Sequence, residues 1–91
     1  MPEPEEDEVV HGLREQITQL DDAIFDALNR RLDLVARLKR HKDAQGYGFV
    51  DPDREARMVE AQLARNSGPL SEGGLRRFYA QLLELVKREL R

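Results

Sequence analysis

The sequence predicts an all-α protein of three helices, long, short and medium, that associates with further copies of itself. In three segments separated by turns containing Gly or Pro, apolar residues recur every three or four positions, which is the helical period. The chain is also short, at 91 residues, with no Cys or Trp. A chain of this size buries only about 60–65% of the surface it exposes when unfolded. No disulfide or zinc cluster supplements that core, so association is the expected source of additional stability.

Residues 1–8 hold two Pro and five acidic side chains. They are expected to form a disordered acidic tail, because such a composition does not offset its own ordering entropy. From Val9 to Asp43 there is no Pro and, after Gly12, no Gly, and apolar residues recur at 13, 17, 20, 24, 27/28, 34/35 and 38. One helix over about 9–43 follows, roughly 50 Å long. The remaining residues of one copy are too few to cover its apolar stripe, so it is expected to pack against a second copy. Gln45-Gly46-Tyr47-Gly48 supplies the turn. Asp51 then caps a second helix over 52–65, with Pro52 at the first position, where its missing N–H is harmless. Asn66-Ser67-Gly68-Pro69 ends that helix, and Ser71 caps a third over 72–90. The domain is expected to span 9–91.

Composition excludes several classes of function. A net charge of -3 does not suit a general nucleic-acid binder, which needs surplus Lys and Arg. The N-terminus reads MPEPEEDE, without the basic and apolar regions of a secretory signal, and no run approaches the ~20 apolar residues of a membrane span. A soluble cytoplasmic protein without membrane attachment is the expectation. His11 and His41 lack the spacing and companions of a metal site, and there is no Gly-rich phosphate loop and no Ser-His-Asp order.

The informative residues are polar ones on apolar stripes. The first stripe, continued by its own spacing, meets Arg31, His41 and Lys42. Arg31 and Lys42 project from nearly one face about 16 Å apart. They either converge on a small anion or snorkel from the stripe's edge and pair with carboxylates. In the third helix Leu75, Phe78, Leu82 and Leu85 follow a 3-4-3 spacing whose next member is Glu89. A buried Glu89 would hold a proton and donate a hydrogen bond; a frayed helix end would leave it solvated. In Asp51-Pro52-Asp53-Arg54-Glu55 the acids complement the helix dipole. Arg54 is less expected in a first turn, and with free N–H groups beside it would make an anion site. Arg14 stands about 100° off the face of Arg31 and Lys42, so only a partner's helix would bring it to their pocket.

In this order, these residues resemble the all-helical chorismate mutase family, the AroQ class or type II. The matching segments are LREQITQLDDAIFDALNRRLDLVARLKRHK (13–42), VDPDRE (50–55) and GPLSEGGLRRFYAQLLELVKRE (68–89). The resemblance implies an intertwined homodimer of three-helix subunits with two shared active sites. It implies conversion of chorismate to prephenate, in Phe and Tyr biosynthesis, by an intramolecular Claisen rearrangement without cofactor or metal. By position, Arg14 of the partner subunit, Arg31, Lys42 and Arg54 would bind the substrate's two carboxylates, and Lys42 would also reach the ether oxygen. Glu55 and the backbone near Asp51 would hold the ring hydroxyl. Clamping both carboxylates selects the compact diaxial conformer. Donors fixed at the ether oxygen stabilise the charge that develops as its bond breaks.

Two positions depart from the family's common bacterial pattern. Glu89 stands where many members have a Gln donor to the ether oxygen, and it donates only when protonated. Activity is therefore expected to fall as pH rises through the Glu89 ionisation. Leu85 stands where a Ser often contacts a carboxylate, a loss of roughly 1 kcal/mol of binding. Alternatives on the same fold are a 4-amino-4-deoxychorismate mutase and an isochorismate-pyruvate lyase. A different class is a noncatalytic helical dimer that docks to a shikimate-pathway enzyme.

Overall fold

The computed structural model of the chain describes residue 3 and residues 7–90. Among them are three α-helices and no strand: α1 (Glu8–Gln45), α2 (Pro52–Arg65) and α3 (Glu72–Glu89). The all-α expectation holds. Of the segment expected to be a disordered tail, residues 1–2 and 4–6 lie outside the described residues. The tail's last two residues are ordered, contrary to expectation. The Asp7 carboxylate accepts the Val9 N–H at 2.8 Å and the Val10 N–H at 3.4 Å, and its carbonyl accepts the His11 N–H at 2.9 Å. Asp7 is therefore a cap and Glu8 belongs to the first turn, where its charge complements the helix dipole.

The chain divides into two compact units, residues 1–35 and 36–91. In the first, the N-terminal part of α1 leaves its apolar stripe in solvent: Leu20 is 64% and Ile24 55% exposed, with Leu13, Ile17 and Leu34 in the same state. No residue anywhere in α1 is buried. Leu28, Arg31, Leu32 and Val35 are half-buried.

The second unit holds the end of α1, both turns, α2 and α3. α1 stops in a Schellman arrangement. Gly46 takes φ +74°, its N–H reaches the Asp43 carbonyl at 3.2 Å, and the Tyr47 N–H reaches the Lys42 carbonyl at 2.8 Å. A side chain at Gly46 would be strained in that backbone conformation. The α2–α3 turn is held by Asn66, whose Nδ2 donates to the Leu70 carbonyl at 2.9 Å, and Ser71 caps α3 by accepting the Gly74 N–H at 3.0 Å. Between the two helices, Arg76 donates to Glu60 of α2 at 3.2 Å and to Glu72 of its own helix at 3.1 Å. Hydrogen bonds to Glu72 and then Glu60 push the Arg76 pKa up.

α3 shows a register different from the expected one. Its buried residues are Leu75 and Val86, at 8% and 4% exposure, with Tyr79, Leu82, Leu83 and Leu90 half-buried. Phe78 is 59% and Leu85 37% exposed. The buried line runs 75, 79, 82, 86, 90, one position beyond the 78-85-89 series in its later turns. Both series are compatible with a helical period, and the packing of α3 on α2 selects the second. Glu89 is accordingly exposed, not on the buried face.

Candidate functional site

Arg14 and Arg31 both belong to the first unit. On α1 they are separated by about 25 Å along the axis and about 100° around it, so one copy does not bring them together. Arg14 is exposed, and its carbonyl accepts the Thr18 hydroxyl at 3.0 Å. Arg31 is half-buried, and its Nη1 is shut from water with no hydrogen-bond partner among the described residues. A buried guanidinium nitrogen without an acceptor is destabilising by roughly 1–3 kcal/mol or more. It is the group in this unit with the strongest physical demand for an anion.

In the second unit Lys42 is half-buried, and its Nζ donates to the Phe49 carbonyl at 3.4 Å. The Schellman closure fixes its backbone, so the turn holds Lys42 at both ends. Lys39, one turn earlier, pairs with Asp43 at 3.4 Å and stands 5.9 Å from the centroid of the Phe49 ring. The sequence reading missed Phe49 as the residue on which both lysines meet, since nothing in its spacing marks it.

Asp51 caps α2 with its side chain, accepting the Arg54 N–H at 3.1 Å, and its carbonyl accepts the Glu55 N–H at 3.0 Å. This corrects the expectation of free N–H groups beside Arg54. The capping carboxylate takes that donor and adds negative charge, so this turn's anion affinity rests on the exposed Arg54 guanidinium. Glu55 is half-buried, with Oε1 3.7 Å from Nζ of Lys87 on α3. Lys87 also lies 4.0 Å from Glu84. Sequence reasoning missed Lys87 because a cation in the last turn of a helix is ordinary dipole complementation.

Glu89 and Leu85 are exposed on α3. Leu85 lines a shallow groove of about 400 Å³ with Ala80, Gln81, Glu84 and Arg88, which includes none of Lys42, Arg54, Glu55 and Glu89. Among the described residues Arg14, Arg31, Lys42 and Arg54 form no ion pair, a property they share with Arg30, Arg37, Arg40, Arg57, Arg65, Arg77 and Arg88; what sets Arg31 apart is its buried Nη1 without an acceptor. No helix among the described residues is long and apolar enough to cross a membrane.

Comparison with known proteins gives two findings. The family described as chorismate mutase type II matches residues 13–90, a span that contains all eight candidate residues. The T-protein of Enterobacter agglomerans is 39% identical over 51 residues, which is 56% of this chain and 14% of that protein. The chain therefore corresponds to a small part of that relative's length. No solved structure matches.

Proposed function

We propose that this chain, which belongs to the chorismate mutase type II family, converts chorismate to prephenate as a homodimer with shared active sites in aromatic amino-acid biosynthesis. The observation that carries the reading is the family match over 13–90. Arg31, whose buried Nη1 lacks an acceptor, is its physical counterpart. A substrate carboxylate supplies that acceptor.

The dimer answers two features of the single chain. Eight large apolar side chains of α1 are 44–69% exposed, and covering what each still exposes stabilises the fold by roughly 1 kcal/mol. Arg14 is too far from Arg31 on its own helix, and a second copy's α1 supplies it from the other side. In the assembled site Arg14 of the partner subunit, Arg31 and Arg54 hold the two carboxylates. Arg pairs well with planar carboxylates because its donors form a fixed fork. Lys42, whose Nζ donates to the Phe49 carbonyl, is the proposed donor to the ether oxygen.

The reaction is unimolecular, so the protein's work is conformational and electrostatic. Holding both carboxylates brings the bond-forming carbons together. The Lys42 ammonium then strengthens its interaction as negative charge develops on the ether oxygen, which lowers the transition state more than the ground state. Glu55 accepts a hydrogen bond from the ring hydroxyl. Glu89, exposed in the single chain and covered by the partner in the dimer, is the proposed second contact to the ether oxygen, and Leu85 supplies shape in place of a hydroxyl. No proton transfer and no covalent intermediate are needed.

The test is ultraviolet loss of chorismate by the purified protein with prephenate identified as product, run beside 4-amino-4-deoxychorismate and isochorismate. Turnover of chorismate to prephenate is expected. Preference for either of the other two substrates, or no turnover of any, overturns the reading.

A further inference from the structure

From the Glu55–Lys87 pair we infer that Lys87 is a positioning residue that sets the charge preference of the site: it neutralises Glu55 so that the site favours a ring hydroxyl over a ring ammonium. The inference rests on the proposed chorismate mutase reading, in which Glu55 faces the ring substituent. Its structural basis lies wholly within the α2–α3 unit. Oε1 of Glu55, in the first turn of α2, stands 3.7 Å from Nζ of Lys87, near the end of α3, and both side chains are half-buried. Glu55 makes no other ion pair and no side-chain hydrogen bond among the described residues. One carboxylate oxygen is thus directed to the lysine while the other is left for a ligand.

An unneutralised carboxylate in this place would attract an ammonium more strongly than a hydroxyl, because a full charge pair outweighs a neutral hydrogen bond where water is partly excluded. With Lys87 close by, that advantage shrinks. An incoming ammonium meets a carboxylate whose charge is already balanced, and it is also repelled by Nζ. A hydroxyl needs only an acceptor, which the second oxygen of Glu55 provides. The tether also orients Glu55 across the helix pair. The other group within reach of Lys87 is also acidic, Glu84 at 4.0 Å on the same helix.

The experiment compares kcat/KM for chorismate and for 4-amino-4-deoxychorismate in the wild type and in K87Q, K87M and K87R. Removing the charge is expected to raise the amino-to-hydroxyl ratio about fivefold, the worth of a partly screened charge pair, with K87R keeping the wild-type ratio. A purely structural role would lower both rates together and leave the ratio alone. K87M keeps most of the aliphatic stem and carries the test if K87Q loses helicity by circular dichroism. A wild type that turns over chorismate with an unchanged ratio in both neutral variants overturns the Lys87 inference alone. A wild type inactive on chorismate removes the underlying reading, and this inference with it.

Discussion

The N-terminal part of α1 and the α2–α3 pair are made from similar sequence, apolar residues at helical spacing among many charges, yet their side chains meet different fates. α3 lies against α2 and buries Leu75 and Val86, and Arg76 and Lys87 reach across to Glu60 and Glu55. In α1 the equivalent apolar residues stand in solvent and nothing is buried. Helical periodicity therefore specifies which face is apolar, while burial depends on whether a partner surface exists. The half-buried, unpartnered Arg31 belongs to the region whose stripe is exposed.

The sharpest way to break this contrast is an aspartate at Ile24. In α2–α3 terms Ile24 is surface, and I24D would be nearly silent in a monomer. In the proposed dimer it puts a charge into the apolar seam, and light scattering should show dissociation with loss of helicity, an effect of several kcal/mol. A soluble I24D variant with unchanged mass would rule out a seam there. Next in size, L75A removes one of the two side chains buried among the described residues and is expected to lower stability by about 2–4 kcal/mol, read from urea unfolding. A loss below about 1 kcal/mol would mean that the α2–α3 core is not the stabilising contact.

R31A addresses the site in the first region. Turnover should fall about 100-fold while the oligomer persists, as expected when one fixed donor to developing or bound charge is lost. A noncatalytic module would show only a stability change. The smallest effect concerns Glu89 in the second region. Because an amide donates a hydrogen bond while a carboxylate only accepts one, E89Q should keep or raise kcat/KM and E89A should lower it severalfold. An E89A variant as active as the wild type would remove Glu89 from the ether-oxygen site.

The elements were legible because each has a local signal. Asp51-Pro52, Ser71 and the Gln45-Gly46 turn act through hydrogen bonds to neighbours a few residues away, and the structure puts all of them to that use. Asp7 was hidden among other acids, where a cap has the same composition as a tail. The register of α3 was less legible, since 75-78-82-85-89 and 75-79-82-86-90 both suit a helix and only the facing surface of α2 decides. Among the site residues, the charge-breaking positions Arg31 and Lys42 stood out against an apolar stripe. Lys87 did not, because its meaning depends on Glu55, which lies far away in sequence and is brought near by the α2–α3 packing.

The exposed stripe of α1 also has a thermodynamic consequence. If its burial requires a second copy, folding and association are one equilibrium, and the free energy of the native state carries the logarithm of the protein's own concentration. Each tenfold dilution then removes about 1.4 kcal/mol per dimer. The melting temperature of such a chain is set by its abundance as well as by its sequence, so a drop in copy number acts on it as a destabilising mutation would.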